Sequence, residues 1–128
     1  MRHLSWADFD QAVSTIADRC RGSSFSGIHG IPRGGLVLAV ALSHRLELPL
    51  LPSPQPGCLL VDDVYETGLT LAPHRDLEGA YVVVWVSKAE PLWWQAVEVT
   101  DSSEWIVFPW EQAAAAAADE AQYRLSRA

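Results

Sequence analysis

The sequence predicts an α/β protein built on an open, mostly parallel twisted sheet with flanking helices. Three observations carry this. Residues 80–86, Ala80-Tyr81-Val82-Val83-Val84-Trp85-Val86, are apolar throughout, as a strand reads when both faces of a parallel sheet are covered. Residues 34–46 are too long and too rich in Ala and Leu for a strand, and read as a buried helix. Strand-like and helix-like runs alternate along the chain, and turns rich in Gly and acidic residues follow the strand-like runs.

At 128 residues the chain is expected to be a single domain, and 49% hydrophobic residues suffice for its core. No apolar run approaches the roughly 18 residues of a membrane span, so no membrane partner is expected. Residues 1–8 lack the apolar centre of a signal peptide, and a cytoplasmic protein is expected. A net charge of −7 argues against nucleic acid, which calls for a basic face. Cys20 and Cys58 show no metal-ligand spacing and read as buried free thiols.

The elements follow in order. Residues 5–21 form an amphipathic helix, with Trp6, Phe9, Val13, Ile16 and Cys20 at steps of three and four. Ser5 followed by Asp8 resembles a capping box with Asp in place of Glu. The core spans about residues 25–110. It opens on a short strand at 25–31, and the Gly-rich turn 30–35 leads into the helix at 34–46. A brief strand is expected at 47–51, then a proline-rich connection. Residues 58–61 form the central strand. A helix from Thr70 to about Leu77 follows, with Pro73 tolerated in its first turn. After the strand at 80–86, short strands are expected at 97–99 and 105–108. The alanine run 113–118 marks a final helix over 110–125, with Glu111 near its start and Arg124 and Arg127 near its end.

Three segments with ligand chemistry fall at carboxyl ends of strands, the edge where open α/β sheets bind ligands. The turn Pro32-Arg33-Gly34-Gly35 at a helix start offers N–H groups to an anion. Asp62-Asp63 suits ribose hydroxyls and a hydrated Mg²⁺, which takes one or two carboxylates plus ligand oxygens. Thr67-Gly68-Leu69-Thr70 adds hydroxyls and amides, and Glu66 sits where it could accept a proton from a bound base. Lys88, the single lysine of the chain, ends the strand at 80–86.

Asp62-Asp63-Val64-Tyr65-Glu66-Thr67-Gly68-Leu69-Thr70 resembles the phosphoribosyl-pyrophosphate (PRPP) motif of type I phosphoribosyltransferases. Gly27-Ile28-His29-Gly30-Ile31-Pro32-Arg33-Gly34-Gly35-Leu36-Val37 resembles the pyrophosphate loop of the bacterial xanthine-guanine branch. Ser87-Lys88 is similar to that branch's base-binding lysine, and Trp105-Ile106-Val107-Phe108-Pro109-Trp110-Glu111 to its C-terminal signature. The resemblance implies that Pro32, Arg33, Gly34 and Gly35 hold pyrophosphate, with a non-proline cis peptide ahead of the Arg. It implies that Asp62 and Asp63 bind the ribose hydroxyls and Mg²⁺, and that Thr67, Gly68, Leu69 and Thr70 wrap the 5′-phosphate. Glu66 takes the place of the acid near purine N7, where the family more often has Asp. Lys88 would donate to the 6-oxo oxygen, Trp105 would stack on the base, and the Ile106 backbone would contact its C2 side. PRPP and a purine base are the implied substrates, and a homodimer or higher homo-oligomer the implied assembly.

Two readings stay open. One is a Mg²⁺-dependent 6-oxopurine phosphoribosyltransferase of purine salvage. The other is a non-catalytic sensor or regulator that binds PRPP or nucleotide. The second is motivated by a departure: family enzymes carry a long flexible loop before the PRPP strand, and here only about 12 residues lie between Leu46 and Leu59.

Overall fold

The computed structural model describes residues 1–127, with side chains through residue 126. The elements run β1 (Arg2–His3), α1 (Trp6–Cys20), β2 (Ile28–Gly30), α2 (Gly34–Leu46), β3 (Leu59–Tyr65), β4 (Tyr81–Ser87), β5 (Gln95–Val99), β6 (Ile106–Val107) and α3 (Ala113–Arg127). They group into two compact units, Ala12–Asp101 and Met1–Gln11 with Ser102–Ala128.

The larger unit is a four-stranded sheet in the order β2-β3-β4-β5, every pair parallel. The all-apolar β4 therefore has a neighbour on each side, and residues 82–87 are all buried. On one face Leu60, Val82 and Val84 join Ile31, Cys58, Leu71 and Trp94 in a core cluster. α2 packs against β2 and β3 and buries Leu38, Ala39 and Leu42. The approach is close: a Cβ on Gly30 would lie 2.7 Å from the Ala39 Cβ. Arg19 of α1 donates to the Ala96 carbonyl of β5 at 2.8 Å, and Arg45 of α2 donates to the Ser14 hydroxyl at 3.2 Å.

The smaller unit is tied by a pairing that leaves no periodic signal in the sequence. β1 runs parallel to β6, Arg2 opposite Ile106 and His3 opposite Val107. Ser5 and Asp8 exchange the two backbone bonds of the expected capping box, at 2.8 and 3.0 Å. Phe9, Phe108 and Trp110 form an aromatic cluster, with the Phe108 and Trp110 rings stacked at 5.2 Å.

Four expectations need correction. The strand expected at 47–51 is a single bridge between Ile28 and Leu50, because Pro49 and Pro52 have no N–H to continue a ladder. The strand expected at 58–61 runs through Tyr65, since Asp62 and Val64 keep their register with β4. The helix expected from Thr70 to Leu77 is one 3₁₀ turn, Ala72–His74. The turn at 66–71 leaves only residues 72–80 before β4, and the 3₁₀ turn takes three of them. The final helix starts at Ala113 rather than at 110. A turn precedes it, closed by the Glu111 N–H on the Phe108 carbonyl and by the Phe108 N–H on the Glu111 carboxylate, both 2.9 Å. The Arg127 side chain, expected to complement this helix's C-terminal end, lies outside the described residues. No helix of the described residues is long and apolar enough to cross a membrane.

Candidate active site

Parallel pairing puts the carboxyl ends of β2, β3 and β4 on one edge of the sheet, and with them the three segments singled out by the sequence. The turn after β2 contains a cis peptide between Pro32 and Arg33, as the resemblance implied. Gly34 and Gly35 then start α2 directly against the acid pair. A Cβ on Gly34 would overlap an Asp63 carboxylate oxygen and stand 2.6 Å from its carboxyl carbon. A Cβ on Gly35 would stand 2.6 Å from the Val61 carbonyl oxygen and 3.1 Å from the Asp62 Cα. The two glycines thus serve the close approach of helix to strand.

Asp62 is buried and Asp63 half-buried. The Asp62 carboxylate accepts the Asp63 N–H at 2.8 Å, and the Asp63 carboxylate accepts the Val64 N–H at 2.8 Å. Burial, then the neighbouring Asp63 charge, pushes the Asp62 pKa up to about 8. Burial also raises Asp63, while its hydrogen bonds, that with Asp62 first, hold it down. Burial and mutual repulsion therefore favour a proton on the pair, since both carboxyls are raised. Two adjacent carboxylates offering oxygen donors fit Mg²⁺, which accepts one or two carboxylates together with ligand phosphates and water.

A stability prediction follows for the metal-free chain. The folded protein keeps a proton on Asp62 that an unfolded Asp releases near its ordinary pKa of about 3.9. The folded state thus binds more protons across the window from there to about 8, so this group's contribution to stability falls as pH rises through that window and levels off above it. Asp62→Asn is expected to flatten the Tm profile between about pH 5 and 8 and to melt above the native chain at about pH 8. Parallel Tm profiles for the two proteins would contradict the assignment.

At the end of β4, Lys88 is held by its backbone and by its side chain. Its N–H donates to the Tyr65 carbonyl at 2.8 Å, and its Nζ pairs with a Glu66 carboxylate oxygen at 3.0 Å, both side chains largely buried. The residues expected near N7 and the 6-oxo oxygen of a base thus meet each other. Thr67, Leu69 and Thr70 are exposed on the turn between Glu66 and the 3₁₀ segment. Gly68 takes φ +79°, and the Leu69 N–H reaches the Thr67 hydroxyl at 3.4 Å. The expected phosphate cradle is therefore an exposed turn, not the start of an α-helix.

Two residues behind this site were not singled out as site residues from sequence. The Tyr65 hydroxyl lies against Gly68, where any Cβ would overlap it. Trp94 is buried and stacks on Tyr65 at 3.8 Å and 12°. The available signal was position, since a tryptophan six residues past Lys88 lies in the loop at the carboxyl end of β4.

Trp105 and Ile106 belong to the smaller unit. The Trp105 ring meets Tyr123 at 5.4 Å, and its Nε1 is buried with no acceptor among the described residues. Ile106 is buried in β6.

No protein-family model matches the chain. Its sequence is similar to the xanthine-guanine phosphoribosyltransferase of Chromohalobacter salexigens, 26% identical and covering 88% of this chain and 85% of that one. It is also similar to the protein of the same name from Cereibacter sphaeroides, 25% identical with 87% of each covered. Among solved structures it resembles a purine phosphoribosyltransferase from Pyrococcus horikoshii, with a TM-score of 0.73, 27% identity and coverage of 87% of this chain and 94% of that one. The fold is also that of a xanthine-guanine-hypoxanthine phosphoribosyltransferase from Helicobacter pylori, with a TM-score of 0.67, 17% identity and coverage of 92% and 98%.

Proposed function

From a chain with the fold and the sequence relationships of a type I phosphoribosyltransferase, we propose a purine phosphoribosyltransferase that uses PRPP and a 6-oxopurine, a reaction of purine salvage. A ring nitrogen of the base bonds to C1′ of PRPP, the C1′–oxygen bond to pyrophosphate breaks, pyrophosphate leaves, and the purine ring loses one proton. The observation that carries this reading is the meeting, at one sheet edge, of the Gly34-Gly35 turn, the acid pair and the Glu66–Lys88 pair.

In this reading Arg33, Gly34 and Gly35 receive the pyrophosphate, and residues 67–70 receive the 5′-phosphate. Asp62 and Asp63 orient the ribose hydroxyls and hold Mg²⁺, which when bound neutralises charge on the departing pyrophosphate. Lys88 turns from Glu66 to the 6-oxo oxygen, and Glu66 is left to accept a proton at N7. Catalysis rests on positioning and on charge stabilisation by fixed groups.

The test is incubation with PRPP, Mg²⁺ and hypoxanthine, guanine or xanthine. Nucleoside monophosphate is expected, and none from any base with the chain folded sinks the enzyme reading. One observation favours the second reading, a non-catalytic binder of PRPP or nucleotide. Residues 47–58 are short, proline-rich and pinned to the sheet by the Leu51 N–H on the Ile28 carbonyl at 2.7 Å. They offer no long loop to exclude water from an oxocarbenium-like centre. Calorimetric binding of PRPP without product would select that reading.

A further inference from the structure

We infer that Trp94 is a positioning residue that sets the phosphate turn and the Lys88 turn together from beneath. This rests on the purine phosphoribosyltransferase reading, which assigns those two turns to the two substrates.

Trp94 is 2% exposed and has two separate attachments. The first is its π face, stacked on Tyr65 at 3.8 Å. Tyr65 carries that contact outward, because its hydroxyl end lies against Gly68 in the middle of the phosphate turn. The second is its N–H, which donates to the Ser87 hydroxyl oxygen at 3.1 Å. Ser87 is fully buried and donates in turn to the Ala89 carbonyl at 2.6 Å. Lys88 lies between those two residues, and its own N–H is held by the Tyr65 carbonyl. The lysine's backbone is thus fixed at three consecutive residues, and the Trp94 indole anchors the hydroxyl that closes the turn. Trp93 meets the Trp94 ring edge-on at 5.5 Å.

This arrangement fits a chain that has only residues 47–58 where a long loop would press on the site from above. Geometry must then be fixed from within the core. A displacement of about 1 Å in a positioned group can cost about a hundredfold in rate.

The two attachments can be cut separately. Trp94→Phe keeps a ring for the stack and removes the N–H, while Ser87→Ala removes the acceptor. Both are expected to raise KM for the base about tenfold and to leave KM for PRPP within about twofold. Tyr65→Leu removes the stack and the hydroxyl under Gly68. It is expected to raise KM for PRPP about tenfold with KM for the base within about twofold. If Trp94→Phe fails to fold, Ser87→Ala carries the hydrogen-bond arm alone. Lower Tm with both KM values unchanged makes Trp94 ordinary core and overturns the inference, as do equal shifts in both KM values for every variant. If the unsubstituted chain turns over no purine, the functional reading fails on its own. The inference is then decided by calorimetry with PRPP and Mg²⁺: about tenfold weaker binding by Tyr65→Leu but not by Trp94→Phe supports it, and unchanged binding by both overturns it.

Discussion

Lys88→Ala is expected to fold and melt near the native temperature yet lose about a hundredfold or more in kcat/KM for the base, the usual cost of removing one donor aimed at developing charge. Lys88 is the only lysine in a chain of net charge −7, so no second lysine can stand in for it. Its side chain is largely buried and its ammonium pairs with Glu66 at 3.0 Å, so the proposed donor is held at the sheet edge. The loss should fall on the base and leave PRPP affinity within a few-fold, because the residues proposed to bind phosphate lie in other turns. Lys88→Met keeps the apolar stem and should lose as much, which separates charge from packing. Asp63→Asn is expected to lose activity to a similar degree while melting normally, but through PRPP and Mg²⁺. Steady-state kinetics with each substrate varied, beside thermal melts, checks both. Full activity in both variants would refute the assignment of the site.

Gly35→Ala is expected to damage stability and activity at once. Its Cβ would meet the Val61 carbonyl oxygen at 2.6 Å and the Asp62 Cα at 3.1 Å, and these are backbone atoms of a central strand that cannot swing aside. Forcing α2 away from β3 is an overpacking change, which typically costs about 1–3 kcal/mol. The same movement carries the acid pair away from the pyrophosphate turn. Gly34→Ala makes the contrast. Its Cβ would meet the Asp63 carboxylate, a side-chain end that can rotate, so the chain should melt closer to native while activity falls. Denaturant midpoints for both variants, compared with their activities, test this division. Equal stability losses would show that the two glycines play the same part.

The sheet was legible because its strongest signals are local. Valines at 82–84 and 86 announce a strand covered on both faces, and the glycines at 34 and 35 before a long apolar run announce a turn into a helix. Adjacent acids and a Thr-Gly-x-Thr turn after an apolar run marked the site for the same reason. What escaped depends on partners far away in the chain. Asp62 and Asp63 are poor strand formers, yet β3 continues through them because β4 supplies the ladder. The two-residue strand β1 is too short for any period to show, and nothing local pairs it with the strand expected at 105–108. The Glu66–Lys88 pair and the Trp94–Ser87 bond join the ends of two strands, and no spacing rule connects them. The expected helix after Thr70 failed for a different reason: local propensity was adequate, but the length of chain before the next strand was not.

The pairing of β1 with β6 has a consequence during synthesis. Arg2 and His3 are made about a hundred residues before Ile106 and Val107, the strand they pair with. At translation rates of about 5–20 residues per second, β1 waits roughly 5–20 s for its partner to be made. Throughout that interval the nascent chain presents an unpaired strand edge, open to chaperones or to a neighbouring chain on the same message. The β1–β6 pairing can close only once β6 has been made, so it belongs to the late part of folding.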